Sequence, residues 1–137
     1  MIVLDTNLVS ELMKAAPDET VWSWFQQQLR QDLHTTAITV AEVHTGLQRL
    51  PYGRRREEIR ATVDTVFGAV TDEVLSFTAE AAMAYSVVVD RRMRAGLPIE
   101  PLDAQIAAIC LVEQATLATR NTKDFVETGV QLVNPWE

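Results

Sequence analysis

Sulfur and imidazole chemistry have little to work with in this chain: among 137 residues there is one cysteine, Cys110, and two histidines, His34 and His44. A lone cysteine cannot close an internal disulfide, so a reducing compartment is the simpler expectation. Two scattered histidines do not make a zinc site and are read as structural or surface residues. No apolar stretch reaches membrane-spanning length, and no basic, apolar, small-residue leader opens the chain; the expectation is a cytoplasmic protein without a membrane anchor. No Ser-His-Asp arrangement is evident. Basic residues are also in short supply, 12 Lys and Arg against 19 Asp and Glu, for a formal net charge of -7. That balance disfavours broad nonspecific binding to nucleic acid unless the acids gather where cations neutralise them.

What is present begins with Met1-Ile2-Val3-Leu4-Asp5-Thr6-Asn7. Four apolar residues without polar alternation predict a strand buried on both faces of a parallel sheet. Asp5 stands where the apolar run ends, and in open α/β sheets ligands bind beyond the carboxyl ends of the strands. Equally, Asp5 or Asn7 can simply cap a helix from Leu8 to Lys14. Helical periodicity follows over Asp18–Leu29, from Thr39 to Pro51, over Arg54–Val70, over Thr78–Arg94 and from Pro101 onward. Short strands are expected at His34–Ile38, Val74–Phe77, Thr116–Thr119 and Val130–Val133, with a short helix capped by Asn121 and running to Glu127. Strands alternating with helices, with no hairpin signal, predict one α/β domain over residues 1–137. Its architecture is a three-layer α/β/α stack around a mostly parallel sheet of about five strands.

On that frame Asp5, Glu42 and Asp124 follow strands and share one sheet edge, and Asp103 lies in the first turn of the helix that feeds the Thr116 strand. Each acid has a local explanation: Thr39 and Glu42 have capping-box spacing, Asp124 stands three after Asn121, and Asp103 suits a helix N-terminus. Four carboxylates brought together would repel, and a divalent cation is the usual remedy. An all-oxygen ligand set suits Mg²⁺ or Mn²⁺ over zinc.

Several windows resemble PIN-domain ribonucleases, and most nearly the VapC-type toxins. They are Asp5-Thr6-Asn7 with Ser10-Glu11-Leu12, Thr39-Val40-Ala41-Glu42 with Gly46, Leu50-Pro51 before Gly53-Arg54-Arg55, Asp103-Ala104-Gln105-Ile106-Ala107-Ala108, and Thr119-Arg120-Asn121 with Asp124-Phe125. Each window is short, but their order and spacing cover most of the chain. The resemblance implies a metal-dependent endoribonuclease that hydrolyses RNA with a metal-activated water and is restrained by an antitoxin encoded beside it. It implies Asp5 and Asp103 as direct ligands, with Glu42 and Asp124 acting through water or a second metal. Thr6, Asn7, Thr119 and Asn121 would orient them.

Arg54, Arg55 and Arg56, with Arg49 and Arg60 nearby, either guide RNA phosphates or form a solvated helix face; their N-terminal position opposes the helix dipole, which favours a function. Trp22, Trp24 and Phe25 read as core or as a subunit interface, consistent with a homodimer. Two rival readings stand beside the nuclease. A phosphohydrolase with an aspartate nucleophile would need a second acid where Asn7 stands. A catalytically weak protein-binding module would use the acids only to hold a partner.

Overall fold

A computed structural model describes all 137 residues. Five short strands, β1 (Ile2–Leu4), β2 (Leu33–Thr36), β3 (Val74–Leu75), β4 (Thr116–Ala118) and β5 (Gln131–Val133), form one sheet in the order β3-β2-β1-β4-β5. Every pairing is parallel, and β1 is central. Between them run α1 (Thr6–Leu12), α2 (Glu19–Gln26), α3 (Ala37–Gln48), α4 (Arg54–Val70), α5 (Ala79–Arg94) and α6 (Pro101–Glu113).

The unbroken apolar run of β1 is explained by its two covered faces. Val3 packs with Val88 of α5, Ile106 and Ala107 of α6 and Leu117 of β4. Leu4 turns the other way, among Leu8 and Val9 of α1, Val21 of α2, Val70 of α4 and Ala118. The register pairs Val3 with Leu117 and Leu4 with Ala118, so each pair stays on one face. Side chains buried this completely contribute roughly 1.5–3 kcal/mol each, which is why the sheet tolerates no polar alternation at its centre. The three-layer α/β/α expectation holds, and no helix is long and apolar enough to cross a membrane.

Two local expectations are corrected. The second strand does not run to Ile38: α3 begins at Ala37, and the Thr36 hydroxyl accepts the Thr39 backbone N–H at 3.1 Å. Thr36 is therefore the cap, the Thr39–Glu42 capping box does not form, and the Glu42 side chain is released for other work. Likewise Asn121 makes no side-chain cap, and only a 3-10 turn, Thr122–Asp124, replaces the helix expected to reach Glu127. In the aromatic helix, Trp24 and Phe25 pack into the core beside Val21, while Trp22 is 42% exposed with its ring 5.7 Å from that of Phe25.

Candidate functional site at the carboxyl edge of the sheet

Because all five strands run the same way, the residues following β1, β2 and β4 meet at one edge. Asp5 follows β1, and its backbone N–H donates to Ala118 at 3.0 Å, which seats it beside Thr119 at the end of β4. The residue is 4% exposed. Oδ1 accepts the Thr6 N–H at 2.9 Å; Oδ2 accepts from the Thr119 hydroxyl at 2.8 Å and from the Asn7 amide at 3.2 Å. Asp5 thus caps α1 and sits in the mouth at once, so the two readings of this residue are compatible.

Thr119, fully buried, is saturated. Its oxygen accepts from the Asn7 amide at 3.2 Å and the Asn121 N–H at 3.1 Å, which leaves its single proton for Asp5. Asn7 is fixed in turn, because its Oδ1 faces the Arg120 N–H at 3.3 Å and its amide must point at Asp5. Glu42, in the second turn of α3, accepts from the Thr6 hydroxyl at 2.7 Å. With that proton committed, the Thr39 hydroxyl is the donor in its 3.1 Å contact with Thr6. Thr6, Asn7 and Thr119 each donate to a carboxylate of this edge, whereas Asn121 contributes only its backbone N–H, to Thr119. Thr39 is the orienting residue that sequence reasoning misread as a cap, although its place three residues after Thr36 carried the signal.

Asp103 lies in the first turn of α6 and Asp124 closes the 3-10 turn after β4, both half-buried. Burial first, and then the negative charges of Asp5, Asp124, Glu42 and Glu100, together push the Asp103 carboxyl up to about 6. Asp5 is also raised, by burial first and against the hydrogen bonds from Thr119 and Thr6. The structure thus brings Asp5, Glu42, Asp103 and Asp124 into one electrostatic neighbourhood. The donors are all carboxylate oxygens, and no cation offsets the charge on Asp103. These side chains do not close into a ready-made group of three ligands. An all-carboxylate donor set, with no histidine or cysteine in it, fits a hard cation that keeps several of its waters better than it fits zinc.

Of the arginine triplet, Arg54 and Arg55 lie on the surface, Arg54 pairing with Glu58 at 3.1 Å. Arg56 is 4% exposed. It donates to Gln48 Oε1 at 2.7 Å and lies 4.3 Å from the Tyr52 ring centroid, so it pins the α3–α4 connection. Glu11 is likewise structural: the Lys14 ammonium bonded to it lowers its pKa, and it accepts the Asp18 N–H at 3.2 Å. His34 and His44 stand outside the acidic edge, His44 stacked on Phe67. Cys110 is fully buried, and burial raises its thiol pKa, which leaves it unreactive.

The field at Asp103 has a measurable consequence in the metal-free protein. Its carboxyl is raised from 3.8 to about 6, so the folded state resists its ionisation; that cost is absent below pH 3.8 and complete above pH 6. Asp103→Asn removes the cost. For a half-buried group screened by solvent the gain is about 1–2 kcal/mol. Thermal melts of both proteins in chelator should therefore coincide near pH 4 and diverge by pH 7, the variant melting higher. Equal melting temperatures across that window would mean the carboxylates do not share a field.

A parallel sheet with its acids gathered at the carboxyl edge places the chain among α/β proteins whose ligand site lies at the strand ends. The chain belongs to the PIN-domain family, whose model, described as PIN domain, matches residues 2–130. It is 38% identical over 138 residues to the VapC ribonuclease Y4jK of Sinorhizobium fredii, covering 100% of this chain and 99% of that one. To Toxin FitB of Neisseria gonorrhoeae it is 31% identical over 137 residues, 99% of each chain. The solved structure of FitAcB from Neisseria gonorrhoeae superposes with a TM-score of 0.92 at 30% identity, covering 100% of this chain and 99% of that one.

Proposed function

We propose that this chain is a divalent-metal-dependent endoribonuclease, the toxin of a toxin–antitoxin pair, with Asp5, Glu42, Asp103 and Asp124 as its acidic site. The observation that carries the reading is the joint field on Asp103, raised to about 6 by burial and by the other three acids of this site together with Glu100. Such a site gains most from a small dication, and the printed names of the VapC and FitB relatives support ribonuclease and toxin roles. Divalent-metal dependence is general among PIN-domain VapC ribonucleases; we assign Mg²⁺ or Mn²⁺ here on the all-oxygen donor set. Asp5 and Asp103 would be the direct ligands, with Glu42 and Asp124 acting through water or a second metal.

A divalent cation bound there supplies charge neutralisation on a phosphodiester and acidifies a water. The chain does the rest. Thr119 and Asn7 hold Asp5 in one rotamer, and the Thr39–Thr6–Glu42 relay holds the Glu42 carboxylate toward the same mouth. Glu42 and Asp124 are the groups placed to accept a proton from the attacking water. An aspartyl-nucleophile mechanism is disfavoured because Asn7, where the second acid would stand, donates a hydrogen bond to Asp5 but, being an amide, cannot transfer a proton as a general acid. Cleavage of a fluorescent RNA by the purified protein tests the reading: chelator should abolish it, Mg²⁺ or Mn²⁺ should restore it, and Zn²⁺ should restore it poorly. A nuclease indifferent to chelator would refute the metal assignment.

A further inference from the structure

The last turn of α5 carries a run of cationic residues, Arg91, Arg92 and Arg94, that suits a helix C-terminus. Arg94 behaves accordingly, pairing on the surface with Asp90 at 2.9 Å. Arg92 does not: it is 4% exposed and has no carboxylate partner. Its Nη1 donates to Lys123 O at 3.2 Å and Val126 O at 2.9 Å, and its Nη2 donates to Pro98 O at 3.3 Å, while Nε is buried without an acceptor. The Arg92 carbonyl also accepts the Leu97 N–H at 2.8 Å. Beside it Arg91 Nη1 donates to Thr128 O at 3.2 Å, crossing so close to Gly129 that a Cβ there would lie 2.2 Å from that nitrogen.

Burying an unpaired guanidinium is expensive, and stabilising one turn does not call for it. The carbonyls it binds lie in two separate segments. Lys123 and Val126 bracket Asp124; Pro98 belongs to the irregular connection from α5 into α6, whose first turn carries Asp103. We propose that Arg92 is a positioning residue that ties these two segments together and so sets the separation of the Asp103 and Asp124 carboxylates. The inference rests on the assignment of those two acids to the metal site. Its planar fork explains the choice of arginine, since one rigid group reaches acceptors on both segments, as a lysine's single ammonium cannot.

The test compares the full chain with Arg92→Met, Arg92→Lys and, as a surface control, Arg94→Ala. Amide hydrogen exchange should quicken in Thr122–Thr128 and in Ile99–Ala104 together for both Arg92 variants, and in neither segment for the control. Mn²⁺ affinity by titration calorimetry, measured below each melting transition, should fall about tenfold or more, as for other groups that orient ligands from behind. The RNA kcat at a fixed Mn²⁺ concentration should fall while KM for RNA stays unchanged. A variant that melts lower yet binds Mn²⁺ as tightly as the parent makes Arg92 a mere prop and overturns the proposal, as does loosening of one segment alone. If Arg92→Met does not fold, Arg92→Lys decides by the same criteria. If the parent takes up no Mn²⁺, the ligand assignment fails and the positioning role falls with it, whereas metal binding intact in both Arg92 variants overturns the positioning role alone.

Discussion

Asp5→Asn and Asp103→Asn are each expected to slow RNA cleavage by on the order of a thousandfold, about 4 kcal/mol of barrier, because each removes charge from the site that must hold a dication against a phosphate. The two variants should part company in stability. Asp5 Oδ1 faces the Thr6 N–H and Oδ2 faces the Thr119 hydroxyl and the Asn7 amide, so every partner of this carboxylate is a donor. An asparagine amide, in either orientation, sets donor against donor at a cost of about 1–3 kcal/mol, partly offset by loss of a buried charge. Asp103 has no such partners, and its replacement should stabilise the metal-free fold. Single-turnover cleavage together with thermal melts separates these effects. Parent-like cleavage by Asp103→Asn would remove it from the site, whatever its stability.

The same hydrogen-bond logic shows why part of the site was legible in the sequence and part was not. Strand β1 and the acid after it could be read because Ile2-Val3-Leu4 leaves no polar face for solvent, and a buried parallel strand must then deliver Asp5 to the carboxyl edge. The start of α3 could not. Thr39 and Glu42 satisfy a capping-box spacing, but Thr36, the last residue of β2 to pair across the sheet, with Leu75, is the one that caps α3. That is a tertiary decision, and it frees Glu42 for Thr6. Arg56 and Arg92 were illegible for a related reason. Arg56 sits in a run of arginines that can be a solvated face and Arg92 in one that suits a helix C-terminus, yet each is buried by acceptors from another segment, Gln48 in one case and Pro98 with Lys123 and Val126 in the other.

Expression of this protein alone should arrest growth, and co-expression with the product of the neighbouring reading frame should relieve it through a stable complex in which RNA cleavage is suppressed. Beside Glu42 lies a cleft of about 250 Å³ lined by Thr6, Ser10, Met13, Val43, Leu47 and Ile59 among others. Glu42 itself lines it among mostly apolar residues, so an inhibitory segment would carry aliphatic or aromatic anchors and present an Arg or Lys toward Glu42 and its neighbour Asp5. A charge-assisted pair there satisfies carboxylates that otherwise need a cation, which makes inhibitor and metal competitors for one charge cluster. Two outcomes follow together: Mg²⁺ should weaken the complex, and reversing the partner's basic residue should restore cleavage. The loss on reversal should be about 2–5 kcal/mol of binding, since it sets like charges in contact where opposite ones were paired. Met13→Asp, which puts a charge on the apolar wall, should also break the complex while leaving cleavage by the free protein intact. Harmless expression, with no binding by the neighbouring product, would defeat the toxin reading and leave the ribonuclease reading to stand on its metal dependence.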